Sequence, residues 1–464
     1  MKRKLALSYI GLVGVPLATL LVILPLGRSL SPPSPRAESW PFPVLPTNLG
    51  SQGAALGISN LALLVCQIAL IILLSRAVGS LAEKIHQPRV IGEVLAGILL
   101  GPSLLGWLAP GVSAFLFPPS GFAVLNGLSQ LGLMLFMFMV GLELNVKELR
   151  HQGPIAILIS HASMAAPMAL GAGLALYLYP RLSDAAVSFT GFALFMGAAM
   201  SVTAFPVLAR ILGERNLAQT RMGTMAIACA AIDDVTGWCV LAFIAAHVRA
   251  ADSSVRIWTT VAGLALFLAV MFWGVRRLLV GIERAYLEHG ELSDNRKAIV
   301  LLLLLLSALS TEALGLHPLF GAFVAGAVMP RNRDFVAYLM EKLQSLTVLL
   351  LLPLFFAYTG LRTSIGRVAG AEMWGLCLLI VATAVIGKLA GTGLAARMGG
   401  MPWRESLALG VLMNTRGLME LVVLNIGLDL GVISPALFSM MVVMAISTTM
   451  MAPPLLHWLC PRRS

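Results

Sequence analysis

Apolar runs of membrane length, separated by short polar clusters, recur along this chain from end to end. Fourteen can be marked: about 5–27, 55–75, 89–106, 121–142, 154–178, 187–211, 219–247, 256–280, 298–314, 316–330, 342–360, 372–397, 405–428 and 433–458. Roughly 20 mostly apolar residues carry a helix across the hydrocarbon layer of a bilayer, and most of the runs reach or approach that length. Inside lipid the backbone must satisfy its own N–H and C=O groups, which a helix does within one segment. The pattern predicts an all-α integral membrane protein with about 13–14 transmembrane helices.

Two of the runs are interrupted. In AAMSVTAFPVLARIL (198–212), Pro206 removes a backbone hydrogen bond and the hydroxyl residues Ser201 and Thr203 stand beside the break. In VLMNTRGLMELVV (411–423), Asn414-Thr415-Arg416-Gly417 is a polar break in a run of lipid-crossing length. Discontinuous membrane helices present half-helix ends, whose dipoles and free carbonyls serve ion sites. With the first run set aside, the breaks fall on the fifth and twelfth of thirteen helices. That spacing predicts two six-helix repeats, about 55–247 and 298–458, joined by the helix at 256–280. Because seven is odd, the repeats would enter the membrane from opposite sides, the inverted-topology pattern of secondary transporters. The run at 5–27 is long for the core of a secretory signal and lacks a small-residue cleavage site, so a retained extra helix (1–28) is expected. A Pro-rich external linker (29–54) and a transmembrane domain (55–464) would follow it.

Composition agrees: 58% of residues are hydrophobic and 11% charged, against roughly 25% charged in ordinary soluble domains. The net charge of +11 needs no nucleic-acid partner. Of the 32 Lys and Arg, 23 fall on one set of alternate loops, with both termini, and 7 on the other set. Positive residues resist translocation, so the N- and C-termini are expected in the cytoplasm. The two that remain, Lys388 and Arg416, lie inside helices. The five cysteines sit in or beside apolar helices without ligand-like pairing, and neither a disulfide framework nor a zinc site is expected.

The ionisable residues at membrane depth are Glu93, Asp233, Asp234, Lys388, Arg416 and Glu420. A charge there costs at least ~2.5–3.5 kcal/mol, so such residues usually pair or line a pathway. Glu93, Arg416 and Glu420 suit structural ion pairs as well as functional roles. The adjacent acids in AIDDVTGW (231–238) are harder to explain structurally, because one alone could pair with Lys388. Neighbours on a helix point about 100° apart, so one acid can face Lys388 while the other faces an aqueous cavity. A carboxylate that holds either a proton or a small cation, but not both, is the least chemistry that exchange requires. The second acid also leads us to expect net charge movement, with more protons than cations exchanged.

Six segments carry a resemblance: VIGEVLAGILLGPSLLG (90–106), LFMFMVGLELN (135–145), MSVTAFPVLARILGERNL (200–217), AIDDVTGW (231–238), TEALGLHPLFGAFVAGAVMPR (311–331) and NTRGLMELVVLNIGLDLG (414–431). In them the chain resembles the monovalent cation:proton antiporters of the second subfamily, most of all the plant cation/proton exchangers and their bacterial relatives. The resemblance implies crossed, discontinuous helices in a sodium/proton antiporter-like fold, elevator-like alternation against a dimerisation scaffold, and a homodimer in a lipid bilayer, for which we expect the inner (plasma) membrane of a bacterium. Na+ or K+ and protons would be the transported ions, with no cofactor and no enzymatic reaction. Asp234 would bind the ion and proton, Asp233 would pair with Lys388, Thr203 would lie at the first break and Asn414, Thr415 and Arg416 at the second. Potassium-efflux relatives of the Kef type usually carry Gln-Asp in place of Asp233-Asp234, which argues against glutathione-gated efflux. A sodium-coupled organic-anion symporter on the same fold is the alternative, disfavoured by the fixed negative charges. An intramembrane aspartyl protease needs its acids on separate helices and a Gly-x-Gly-Asp element, which GLDLG (427–431) does not provide.

Overall fold

The computed structural model describes residues 7–32, 60–118, 121–143, 153–184, 187–215, 217, 219–249 and 254–460. The termini 1–4 and 462–464 and most of the 29–54 linker, to which topological expectations were attached, lie outside the described residues. Each apolar run is mainly helical over its described residues. We number the helices α1 (Leu7–Ser29), α2 (Asn60–Lys84), α3 (Arg89–Leu100), α4 (Phe122–Glu143), α5 (Gly153–Leu182), α6a and α6b (Phe189–Ser201 and Phe205–Glu214), α7 (Arg221–Arg249) and α8 (254–289). They continue with α9 (Asp294–Ala313), α10 (Pro318–Val328), α11 (333–361), α12 (Gly370–Met398), α13a and α13b (Trp403–Met413 and Leu418–Asp429) and α14 (Pro435–Leu459). Among the described residues, eleven spans pass as membrane-crossing by length and composition, and the bent pair α13a/α13b makes a twelfth. Helices α9 and α10, the runs expected at 298–314 and 316–330, fall outside that set. The chain is an all-helical, multi-pass membrane protein.

Both interruptions are real breaks. Helix α6a stops at Ser201, Val202–Ala204 are not helical, and α6b restarts with Pro206 in its first turn, where the missing N–H costs nothing. Helix α13a stops at Met413 and α13b begins at Leu418, bent 45° from it.

Two compact units emerge. The first takes in α1–α3, α5, α6, α7 as far as Leu241, the end of α11 from Thr359, and α12–α14. The second takes in α4, the end of α7, α8–α10 and α11 up to Tyr358. In the first unit α5 is the central helix, packed on α12 and α6a with α1 alongside. Small residues allow that packing: a Cβ on Gly391 would lie 2.5 Å from the Ala162 carbonyl oxygen, and one on Gly387 2.8 Å from Pro167 Cα. In membranes, where lipid is as apolar as leucine, such close backbone approach is a main source of helix attraction. Lys388 follows Gly387 directly, so the same contact carries its side chain onto α5. In the second unit α10 is packed between α4 and α9.

Candidate ion-binding site at the helix crossing

The two breaks meet within the first unit. The Ala204 amide donates to the Thr415 carbonyl at 3.0 Å, and the Thr203 hydroxyl lies 3.0 Å from the Met413 carbonyl oxygen. Helix ends leave backbone groups without intrahelical partners, and buried ones must find others. Arg416 supplies them for α6a: its Nη1 donates to the Ala199 carbonyl at 2.7 Å and its Nη2 to the Met200 carbonyl at 2.6 Å. Nη1 also reaches Glu420 Oε2 at 2.6 Å, so guanidinium, carboxylate and helix end neutralise one another. Thr449 of α14 closes the second break, accepting from the Arg416 amide at 2.8 Å and donating to the Arg416 carbonyl at 2.6 Å.

Helix α7 passes the crossing with its two acids in unlike surroundings. Asp233 is fully buried and surrounded by donors. Ser160 Oγ donates to Oδ1 at 2.5 Å; Ser163 Oγ lies 2.8 Å, Thr203 Oγ1 2.9 Å and Lys388 Nζ 3.2 Å from Oδ2. Lys388 is fully buried too, and its remaining contacts are Thr203 Oγ1 at 2.7 Å and Ser163 Oγ at 3.4 Å. An ammonium has three protons to donate, and here three acceptors take them. Asp234 is 3% exposed and its Oδ1 has no hydrogen-bond partner. One turn along α7 the buried Trp238 Nε1 is also unpartnered.

Of the residues expected at the site, the structure brings Asp233, Lys388, Thr203, Thr415 and Arg416 together, with Asp234 adjacent on α7. Asn414 lies in the second break, and its buried Oδ1 has no partner. Ser201 turns away: its hydroxyl donates to Gly197 and Met164 carbonyls, 2.6 and 2.9 Å distant. Glu420 is paired as described, whereas Glu93, buried on α3, forms no ion pair among the described residues. The aqueous cavity expected beside one acid is not open at Asp234 in this conformation. A cleft of about 20 Å³, room for one water, is lined by Pro88, Val90, Val94, Val207, Arg416 and Thr449 among others. Sequence reasoning missed Ser160 and Ser163, whose spacing of three places both on one face of α5, the face that Lys388 and Asp233 meet.

The arrangement has a charge count. Lys388 balances Asp233 and Arg416 balances Glu420, leaving the ionised form of Asp234 as one uncompensated negative charge. A lone buried charge is far more costly than a paired one, so a single positive charge, a proton or a monovalent cation, suffices to neutralise it. Among the described residues no three His, Cys, Asp or Glu side chains converge as metal ligands, so further ligands to a bound cation would be hydroxyl, amide or carbonyl oxygens.

Residues 69–461 match the family model described as the transmembrane sodium/hydrogen exchanger. The chain belongs to the sodium/hydrogen exchanger family. It is 43% identical over 404 residues to the Na(+)/H(+) antiporter NhaS4 of Synechocystis, covering 87% of this chain and 98% of that protein. It is 41% identical to Cation/H(+) antiporter 17 of Arabidopsis thaliana and 33% identical to K(+)/H(+) antiporter 1 of Saccharomyces cerevisiae, covering 85% and 87% of this chain. It spans 48% and 47% of those two longer proteins. The structure of the sodium proton antiporter MjNhaP1 from Methanocaldococcus jannaschii superposes with a TM-score of 0.56 at 15% identity, over 86% of this chain and 97% of that one. The fold is thus that of sodium/proton antiporters, and cation/proton antiport is the function this membership supports.

Proposed function

We propose that the protein exchanges Na+ or K+ for protons across a bacterial inner membrane by elevator-like alternating access, with Asp234 as the carrier of both ions. The observation that carries the assignment is the contrast between the acids: Asp233 is held by four donors, while Asp234 is buried with an unpartnered oxygen. Proton and cation compete for that carboxylate, and the competition makes the movement an exchange. Asp233 and Lys388 form a separable pair beside it. Arrival of a cation at Asp234 weakens the hold of the acids on Lys388, which can then release a proton while three hydroxyls stay on Asp233. More than one proton would then move per cation.

Two close helix crossings each take one helix from either half of the proposed inverted repeat. Helix α3 meets the end of α11 at Gly97 and Gly360, where a Cβ on Gly360 would lie 2.6 Å from Gly97 Cα. Helix α10 meets α4 at Gly326 and Gly141, where a Cβ on Gly326 would lie 3.0 Å from Gly141 Cα. Both crossings pair an Ala-Gly (96–97, 325–326) with the Gly-Leu of a matching segment, LFMFMVGL (135–142) or LFFAYTGL (354–361). Every site residue belongs to one compact unit, which is what an elevator-like mechanism requires of its moving part. The protomers are proposed to form a homodimer with both termini in the cytoplasm; chemical cross-linking and compartment-sensitive reporters on each end test those two points.

The function is tested in proteoliposomes. Proton flux is expected on adding sodium or potassium, and a potential set with valinomycin, with sodium as the transported ion, is expected to shift its rate and end point. Absence of cation-driven proton flux with sodium, potassium and lithium sinks the exchanger reading. Flux indifferent to the potential sinks only the unequal stoichiometry.

A further inference from the structure

The second unit has a groove that the exchange mechanism does not use. It measures about 230 Å³ and is walled by Phe138 of α4, Val300, Leu301 and Leu304 of α9, and Leu339 and Leu343 of α11. Its polar residues are Lys297, Tyr338 and Lys342. Lys342 Nζ is 5.5 Å from the Tyr338 ring centroid, and Lys297 lines the same groove. The Tyr338 hydroxyl accepts from the Leu292 amide at 3.4 Å and keeps its own proton to donate.

An apolar wall with two ammonium groups and a hydroxyl donor matches one kind of molecule that a membrane protein meets at high concentration. We propose that this groove binds an anionic phospholipid, with part of an acyl chain along α9 and α11 and the phosphate at Lys297, Lys342 and Tyr338. A zwitterionic lipid would offer the same chain but would bring its own cation to the lysines. The acids nearby do not saturate the site. Asp294 contacts Lys297 at 3.0 Å, but its carboxylate is almost wholly exposed. Such solvated pairs are weak and yield to a better-placed anion. Glu291 is an exposed neighbour, and Glu341 on α11 is also exposed. Basic pockets between membrane helices have this recognition chemistry.

Native mass spectrometry of the full chain in a mild detergent tests the proposal, with phosphatidylglycerol or phosphatidylcholine titrated in. Wild type is expected to retain phosphatidylglycerol about tenfold better, as two lysines beside an anionic headgroup should provide. The Lys297→Gln/Lys342→Gln variant is expected to lose that preference while still retaining both lipids through the apolar wall. Leu301→Trp, which fills the groove and leaves the charges intact, is expected to weaken retention of both. Should the double variant not run as a monodisperse species, each single lysine variant is expected to lose about threefold. Equal retention of the two lipids by wild type overturns the proposal, as does a preference untouched by the lysine changes. Displacement of the lipid by millimolar inorganic phosphate would show a plain anion site instead.

Discussion

Two buried ion pairs sit at the same helix crossing and are built for different work. Arg416 and Glu420 belong to one chain segment, four residues apart, and the guanidinium is tied to the Ala199 and Met200 carbonyls at the end of α6a. Arginine does not release its proton in proteins, so this pair is a permanent staple that lets the first break stay buried. Lys388 and Asp233 come from α12 and α7, and their other partners are the hydroxyls of Ser160, Ser163 and Thr203. Hydroxyls both donate and accept, and a lysine amine can give up its proton when desolvated. The first pair keeps its charge; the second contains an amine that, under the proposed mechanism, gives up a proton while the hydroxyls stay on Asp233.

The comparison is broken most severely at Arg416. Arg416→Met leaves Glu420 and two helix-end carbonyls uncompensated, and is expected to cost about 3–5 kcal/mol, read as a large fall in the thermal midpoint of purified protein. A variant as stable as wild type would remove the staple from the account. Asp234→Asn is expected to do the reverse. The amide is nearly isosteric and cheaper to bury, so the protein should fold as well as wild type while cation-driven proton flux drops to the level of protein-free vesicles.

Smaller effects sharpen the contrast. If proton and cation compete for Asp234, the apparent cation KM should rise as pH falls. The rise should approach about tenfold per pH unit once the proton-bound form predominates, and a KM flat across acid pH would mean separate sites. Ser160→Ala removes one of four donors to Asp233. The loss of one hydrogen bond to a charged group, about 1.5–3 kcal/mol at most, is expected to slow turnover by about tenfold, with no comparable change for Ser201→Ala. The smallest expected change is in stoichiometry: Lys388→Gln should lower the proton-to-cation ratio toward one, measured from the potential that nulls the flux, in a protein that still elutes as wild type.

Much of this was legible in the chain because a membrane makes polarity conspicuous. Against apolar runs, Asp233, Asp234, Lys388 and Arg416 stand out, and the breaks at 202–204 and 414–417 declare themselves by proline, small hydroxyl residues and an Asn-Thr-Arg-Gly cluster. Helix number and the positions of the two breaks follow from order and spacing, whereas the family and the crossing of the discontinuous helices are what the resemblance in six segments implies. Partnership among hydroxyls follows from neither. A serine in a membrane helix can satisfy itself on the carbonyl four residues back, as Ser129 does on Leu125, Ser183 on Tyr179 and Ser201 on Gly197. Only the placement of α5 among its neighbours brings Ser160 and Ser163 to Asp233 of α7 and Ser163 to Lys388 of α12. Which of two adjacent acids keeps an unpartnered oxygen is likewise a matter of helix rotation against neighbours distant in sequence. The identity of the charges is local to the chain, whereas their compensation depends on three-dimensional distances that no spacing along one helix encodes.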